Sequence, residues 1–399
     1  MSIKSKNILF IASDNNSTSG AFLSMVRLCA ILKEKYNCNI LVVLPRSGDG
    51  ISLLNDNKIN SIIVRSYNWF IPYRPRTLKR KIKRFLCFFW MPLTYFFNKA
   101  AIKKLTNIIK SNKIDLIHIN TSCTYVGAEA ALKCAVPYIW HIREFLEEDQ
   151  ERTIWNQSYS TRLFSKADAI IAISDSLYDK YNKKLNSDNI YKIYNGIAKE
   201  KFESIDRAIL KNDHINLLMV GSINKSKGQG QAVEACNLLI KDGIKNFKLT
   251  LVGKKSEYAE SLMNIVNQRK LNKYITFVGP QKNIENYYKN SDILLMCSES
   301  EAFGRVTVEA MMSGCLVIGS NSGCTRELIN DGKTGILYKA GDYLDLKNKI
   351  LYSINNKSNA NKLALSGKKY MLENMTDFKN ARNIHDLYEI ILSKRSKKK

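Results

Sequence analysis

This chain of 399 residues carries none of the common metal signatures. No Asp-x-Asp occurs, and no His/Cys group has zinc spacing, so a resident metal is not expected. A GxGxxG fingerprint and a Walker lysine are also missing, which removes the usual signs of a nicotinamide cofactor or ATP. The nine cysteines form no CxxC pair and are odd in number, as suits free thiols in a reducing cytosol. Cys29, Cys134, Cys236, Cys297 and Cys315 lie in apolar stretches and read as core packing. Near the start the only apolar run is Asn7 to Ala12, and no signal peptide is visible.

Acidic residues are absent between Asp56 and Asp115, where fourteen Lys or Arg residues occur. That stretch holds more than half of the formal net charge of +26. Within it, Arg74, Arg76, Lys79, Arg80, Lys81, Lys83 and Arg84 precede an aromatic-rich run, Phe85 to Phe97. The run is broken by Pro92 and, at thirteen residues, is too short to span a bilayer. Basic residues beside aromatic ones suit a surface lying among anionic lipid headgroups. That membrane surface is expected to meet residues 70–110, with 70–100 as the contact segment. An ordinary buried helix behind a solvated basic face is the competing reading. No nucleic-acid motif accompanies the charge, so no nucleic-acid partner is expected. The tail Lys394 to Lys399 reads as a frayed, solvated end.

Strand-like runs alternate with helical patterns throughout, the mark of α/β domains with parallel sheets. In the first half the strands are expected at Asn7–Ser13, Asn39–Leu44, Ser61–Val64, Asp115–Ile119, Tyr138–Ile142 and Ala169–Ile173. Helices are expected at Ala21–Tyr36, Lys99–Ser111 and Thr153–Lys166. A second series of strands covers Ile215–Val220, Lys248–Val252, Thr276–Val278, Ile293–Cys297 and Leu316–Ile318. The length exceeds one compact core. Two domains are therefore expected, 1–195 and 196–376, joined near the turn signal Asn195-Gly196. A last helical segment, 377–399, would pack back on the first domain. Two doubly wound domains facing a central cleft would bind ligands at their strand ends.

The most informative segment is Ser298 to Met311, which holds Glu301 and Glu309 on either side of Phe303-Gly304. A buried strand precedes it, and a helix from Val306 to Ser313, stopped by Gly314, follows. The N–H groups of Phe303, Gly304 and Arg305 would then lie at a helix start, a seat for phosphate. A Glu further along the helix can accept hydrogen bonds from a sugar diol. The turn after Ile215–Val220 carries Gly221, Ser222, Lys227 and Gly228, and Lys227 could neutralise a diphosphate there. After the first strand, small residues from Asp14 to Ala21 bring Gly20 to another helix start. His141 ends a strand, within reach of a substrate hydroxyl. His118, inside a strand, reads as structural, and His214 and His385 carry no signal. Each motif alone competes with an ordinary surface or core role.

Taken in order, the Gly20 loop, His141, Tyr194-Asn195-Gly196-Ile197, Gly221…Lys227-Gly228 and Glu301-Ala302-Phe303-Gly304…Glu309-Ala310-Met311 form a recognisable set, continued by Gly314 to Gly335. The set resembles the retaining glycosyltransferases of family 4 over essentially the whole chain. The resemblance implies an α/β GT-B fold with two Rossmann-like domains. It also implies transfer of a sugar from a nucleotide diphosphate sugar with retention, without metal or other cofactor. Glu301 would contact the donor sugar's hydroxyls and Glu309 the ribose. Lys227 and the amides of Phe303 to Arg305 would hold the diphosphate. His141 would approach the sugar, and Gly20 the phosphate side. His141, Glu301 and Lys227 are thus the catalytic candidates, and Gly20, Gly221, Ser222, Lys227, Phe303, Gly304, Arg305 and Glu309 the donor-binding ones.

Three departures accompany the resemblance. Ser222 stands where an Arg is usual, Leu316 and Cys324 replace a Pro and a Gly, and Arg305 replaces an aliphatic residue. Arg305 is expected to restore the phosphate cation lost at Ser222. The donor would be a UDP- or GDP-sugar. The acceptor would be a glycan, lipid-linked or a surface polysaccharide precursor. The protein would be cytoplasmic and peripheral to the inner face of the membrane. The rivals are a nucleotide-sugar epimerase of the same fold and a non-catalytic basic binding protein.

Overall fold

The computed structural model describes residues 5–75, 77–202, 207–254 and 256–396. Arg76 of the basic run and Lys397 to Lys399 of the tail lie outside the described residues. Two compact units emerge, Met1–Gly196 with Asp377–Lys399, and Ile197–Thr376.

The first unit is built on β1 (Lys6–Ile11), β2 (Cys38–Leu44), β3 (Asn60–Ile63), β4 (Phe70–Pro72), β5 (Leu116–Ile119), β6 (Tyr138–Ile142), β7 (Arg152–Ile154), β8 (Ala169–Ala172) and β9 (Ile190–Lys192). Seven of these form one sheet in the order β3-β2-β1-β5-β6-β8-β9, and β4 pairs with β7 separately. β5, β6 and β8 are buried along their whole length. Continuous apolar strands of this kind belong to parallel sheets covered on both faces. The C-terminal helix Asp377–Ser396 places Ala381, Ile384, Leu387, Tyr388 and Ile391 in the same core as β1 and the helix Gly20–Tyr36. Arg27 Nε donates to Asp377 Oδ2 at 2.5 Å, and Asn380 Nδ2 donates to the Tyr194 carbonyl at 2.6 Å.

Two helices differ from expectation. Lys99–Ser111 is only the last part of a 34-residue helix, Leu78–Ser111, with Pro92 inside it. A proline removes one hydrogen bond and crowds the preceding turn. Here the helix continues past it because Met91, Thr94, Asn98, Ala101, Ile102, Leu105, Ile108 and Ile109 are buried at helical spacing. The opposite side exposes Phe85, Leu86, Phe88, Phe89, Trp90, Leu93 and Phe96. By length and composition this helix could cross a membrane, which its thirteen-residue aromatic run did not allow. The buried seam instead ties its second half to the unit. At Thr153–Lys166, residues Arg152–Ile154 are a strand, and the helix begins at Gln157, capped by Asn156.

The second unit holds β10 (Ile215–Val220), β11 (Phe247–Val252), β12 (Ile275–Gly279), β13 (Ile293–Met296), β14 (Leu316–Ser320) and β15 (Ile336–Tyr338). They form one parallel sheet in the order β12-β11-β10-β13-β14-β15. β9 and β15 were not foreseen, since three residues are too few to carry a pattern.

Truncating Ile384 tests the role of the last helix. Ile384→Ala should destabilise the first unit by about 2–5 kcal/mol, the usual loss for a buried Ile. Urea denaturation of the full chain reads this. A near-zero change would mean that the helix is no part of the core.

Candidate functional site

In each main sheet the strand order reverses beside one strand, β1 in the first unit and β10 in the second. Loops leaving the carboxyl ends at such a point are where open α/β sheets bind ligands. In the second unit these are the loops after β10 and β13. They are bonded to each other: Glu299 N–H donates to the Ser226 carbonyl at 3.3 Å, and Ser298 Oγ to the same oxygen at 3.4 Å. Gly228 permits this approach. Its φ is +73°, and a Cβ there would stand 2.2 Å from the Cys297 carbonyl oxygen. The loop after β14 closes the third side. Cys324 N–H donates to the Glu301 carbonyl at 2.9 Å, and Ser320 Oγ to the Ser298 carbonyl at 2.6 Å. At Gly323, with φ +50°, a Cβ would meet the Glu301 nitrogen at 2.7 Å.

Two cations meet two acids here. Lys227 Nζ lies 2.9 Å from Glu301 Oε2, with both side chains mostly buried. Arg305 reaches Glu309 Oε1 at 3.1 Å along its own helix, and Tyr288 donates its hydroxyl to Glu309 Oε2 at 3.0 Å. Burial raises the Glu309 carboxyl above its usual pKa, opposed by the Arg305 charge and the Tyr288 hydrogen bond. The helix Arg305–Met312 starts at Gly304, with φ +79° and no side-chain cap. Its first amides thus have no capping side chain, the usual situation of an anion seat. Phe303 is buried beneath this turn. Gly221 has φ +140°, and Ser222 is exposed, its carbonyl accepting from Gln229 Nε2 at 3.1 Å.

Arg305 is placed differently from the expected phosphate cation. Its guanidinium serves Glu309, because the i,i+4 spacing puts them on one face and a buried carboxylate needs a counter-charge. Both oxygens of Glu309 are likewise engaged, Oε1 by Arg305 and Oε2 by the Tyr288 hydroxyl.

In the first unit Gly20 opens the helix after β1. Ser19 caps that helix by accepting from Phe22 N–H, and donates its hydroxyl to Asp14 Oδ2 at 3.1 Å. Burial raises the Asp14 carboxyl, whose Oδ1 has no partner. His141 sits within β6 and is fully enclosed, not at an open strand end. Its Nδ1 is 3.0 Å from His118 Nε2 and 3.2 Å from an Arg143 guanidinium nitrogen. His118 Nδ1 is in turn 2.6 Å from the Tyr388 hydroxyl on the last helix. Arg143 Nε also donates to Asn120 Oδ1 at 2.9 Å, and another of its nitrogens bonds Asn195 Oδ1.

The tautomers follow from the one partner that can only donate. Arg143 has no acceptor, so His141 Nδ1 must be bare. Burial, then the Arg143 charge, holds the His141 pKa far below 6.5, so the ring is neutral with its proton on Nε2. His118 then donates through Nε2, and its bare Nδ1 accepts from Tyr388. The outcome is a buried His141 Nε2–H with no protein partner. That group is a hydrogen-bond donor and cannot take a proton.

Sequence reasoning missed Arg143, Glu144, Asn120, Tyr288 and Tyr388. Glu144 is buried, accepting from Ser122 N–H at 2.7 Å and Ser122 Oγ at 2.5 Å, and burial raises its pKa. Arg143 and Glu144 directly follow His141, yet charged residues after a strand are common surface. Their partners lie 23 and 22 residues away in the chain. Among the described residues, no group of three His, Cys, Asp or Glu could hold a metal ion.

Neutral, buried His118 and His141 make stability depend on pH. Both folded pKa values lie well below the unfolded value, with burial as the first cause. Unfolded imidazoles gain protons below about pH 6.5 while the folded ones do not. Stability is therefore full above that pH and falls as pH drops, by up to about 1.4 kcal/mol per unit for each histidine. In His118→Gln the slope of denaturation free energy between about pH 6.5 and 5 should drop by up to about 1.4 kcal/mol per unit, the share of one histidine. An unchanged slope would show that His118 titrates alike folded and unfolded.

Known proteins resemble this chain in sequence and in fold. Residues 60–201 match Glycosyltransferase Family 4, and residues 201–393 match Glycosyl transferases group 1. An uncharacterised glycosyltransferase of Methanocaldococcus jannaschii is 32% identical over 289 residues, covering 70% of this chain and 76% of the relative. The N-acetyl-alpha-D-glucosaminyl L-malate synthase of Bacillus anthracis is 26% identical over 258 residues, covering 62% and 67%. In fold the chain is similar to HepE of Anabaena, solved with UDP and glucose. The TM-score is 0.74 at 19% identity, covering 96% of this chain and 99% of that one. Two parallel Rossmann-like sheets, with their polar side chains gathered at a strand-order reversal, thus occur in a chain that belongs to the GT-B glycosyltransferases of family 4.

Proposed function

We propose that this enzyme moves a sugar from a UDP- or GDP-sugar to a glycan acceptor, with retention and without a metal ion. The Lys227–Glu301 pair beside the uncapped start of the helix Arg305–Met312 carries the reading. A diphosphate arriving there competes with Glu301 for the Lys227 ammonium. Once Lys227 turns to phosphate, the Glu301 carboxylate is free to accept hydrogen bonds from sugar hydroxyls. The charge on the leaving diphosphate is then met by Lys227 and by the helix-start amides, the positions where a metal would otherwise act. Glu309, with Tyr288 and Arg305, presents a polar surface for ribose hydroxyls. His141 Nε2–H offers a neutral donor to a sugar oxygen.

A uridine donor is favoured by HepE, a protein of the same fold solved with UDP and glucose. The acceptor is a lipid-linked glycan or polysaccharide precursor at the cytoplasmic face of a membrane. The exposed aromatic side of the helix Leu78–Ser111, with its basic first turns, supports peripheral association there.

A panel of nucleotide sugars, without acceptor, tests the donor half by slow nucleoside diphosphate release. One donor should be hydrolysed, at the same rate with and without a chelator, and the freed sugar should keep its anomeric configuration when first formed. Dependence on added metal would end the metal-free reading, and an isomeric nucleotide sugar as product would establish an epimerase. Lys227→Ala should lower kcat by about 10²–10³-fold, the scale of losing one preorganised charge stabiliser. Arg305→Ala should raise the donor KM by disturbing Glu309, and Arg305→Lys should restore part of it. Equal KM values in all three proteins would remove Glu309 from the ribose site.

A further inference from the structure

A cavity of about 190 Å³ lies inside the first unit, walled by Trp69, Tyr95, Tyr125, Trp155, Tyr159 and Met91. The rings pack on each other: Trp69 stacks on Tyr125 at 4.9 Å, and Tyr159 meets Tyr125 edge-on at 5.7 Å. Whole small-molecule sites usually run to about 300–1,000 Å³. This one has room for the end of a chain rather than for a nucleotide or an oligosaccharide.

Most polar atoms around it are already occupied, the buried Tyr125 hydroxyl being the exception. Trp69 Nε1–H donates to the Ser122 carbonyl at 2.7 Å, and the Thr94 hydroxyl to the Met91 carbonyl at 2.8 Å. Asn156 Oδ1 accepts Tyr159 N–H at 2.9 Å, and the Tyr159 hydroxyl donates to Glu129. A sugar would lose its own water without finding enough partners, which is unfavourable. A hydrocarbon needs none, and gains about 0.8 kcal/mol for each methylene buried.

The cavity adjoins the exposed aromatic side of the helix Leu78–Ser111. Met91, Thr94 and Tyr95 of that helix line it, while Tyr95 is also 44% exposed. Trp90, next to Met91, and Phe96, next to Tyr95, are exposed too. One positive charge stands beside the wall, with Lys99 Nζ 5.4 Å from the Tyr95 ring centre. Lys79, Arg80, Lys81, Lys83 and Arg84 lie in the first turns of the same helix. Apolar room, an aromatic approach and cations on one helix are the complement of a lipid with an anionic head.

We propose that this cavity takes the end of the hydrocarbon chain of a phosphate-bearing membrane lipid, whose phosphate lies near Lys99. The proposal rests on the reading that this helix meets a membrane. It adds a defined seat in the protein, so that the lipid is held and not merely approached.

Decyl phosphate carrying a photoreactive diazirine at its chain end is the probe, used as a monomer with the full chain. After illumination, peptide mapping should place the label on cavity residues such as Trp69, Tyr125 and Tyr159. Unlabelled decyl phosphate should suppress it, while inorganic phosphate and free sugars should not. Thr94→Phe, which fills the cavity, should lower cavity labelling about tenfold, the equivalent of about 1.4 kcal/mol. Lys99→Ala should bring affinity for decyl phosphate down to that for decanol. Label confined to outer residues such as Phe88 and Phe96 in the unaltered protein would overturn the proposal, as would displacement by sugar. Flotation with vesicles of phosphatidylcholine and phosphatidylglycerol is read separately. Cavity labelling without flotation would leave the chain-end site standing and remove the membrane reading.

Discussion

Parallel strand pairing decides where this protein can do chemistry. Every ladder in the two main sheets is parallel, so each connection must cross over the sheet, mostly as a helix. Those helices cover both faces and leave the central strands β5, β6, β8, β13 and β14 buried throughout. What stays open is the carboxyl edge, where loops leave the strands and backbone groups lack ladder partners. In the second unit three such loops, after β10, β13 and β14, are bonded into one surface by Ser226, Ser298, Glu301 and Ser320. Glycines at 228 and 323 allow backbones to touch where any side chain would intrude.

Charge is handled in pairs on that surface. Glu301 and Glu309 could each be costly when partly or fully buried, yet each has a cation within hydrogen-bond reach. In the proposed function such pairs exchange, since a diphosphate would offer the cations a more highly charged partner. The first unit uses the opposite device. His118 and His141 are kept neutral and ordered by Tyr388 at one end and Arg143 at the other. The result is one directed N–H instead of a titrating group. Paired acids suit gripping hydroxyls, and a fixed imidazole suits donating to an oxygen. Neither arrangement suits proton transfer, unlike the two-carboxylate design of a glycosidase.

The helix Leu78–Ser111 has a different task on each side. Its buried seam makes it a structural member of the first unit, strong enough to carry Pro92 in mid-helix. Its other side keeps large aromatic residues in solvent, an arrangement that monomeric soluble proteins rarely retain over a wide patch. Positive charge at its start and an aromatic cavity at its middle belong to the same element. One helix thereby links the core of the unit to its most unusual surface.

Much of this was legible in the residues alone. Apolar runs of four to seven residues between helical patterns are strong local signals, and they identified β1, β2, β5, β6, β8, β10, β11, β13 and β14. The ordered motifs from Gly20 to Gly335 pointed to the family, because a set of spaced residues is far rarer than any member. Short-range rules failed where long-range packing overrode them. Pro92 and a thirteen-residue window argued for a break, while burial of a seam from Met91 to Ile109 held the helix together. The sequence by itself determined the longer strands, the alternation and the candidates Lys227, Glu301, Glu309 and His141, since these depend on neighbours in the chain. Only the tertiary structure decided who pairs with whom: Lys227 with Glu301 across 74 positions, and His118 with Tyr388 across 270. Hydrogen bonds and ion pairs act over a few ångströms of space, and no local pattern records which distant residues the fold brings that close.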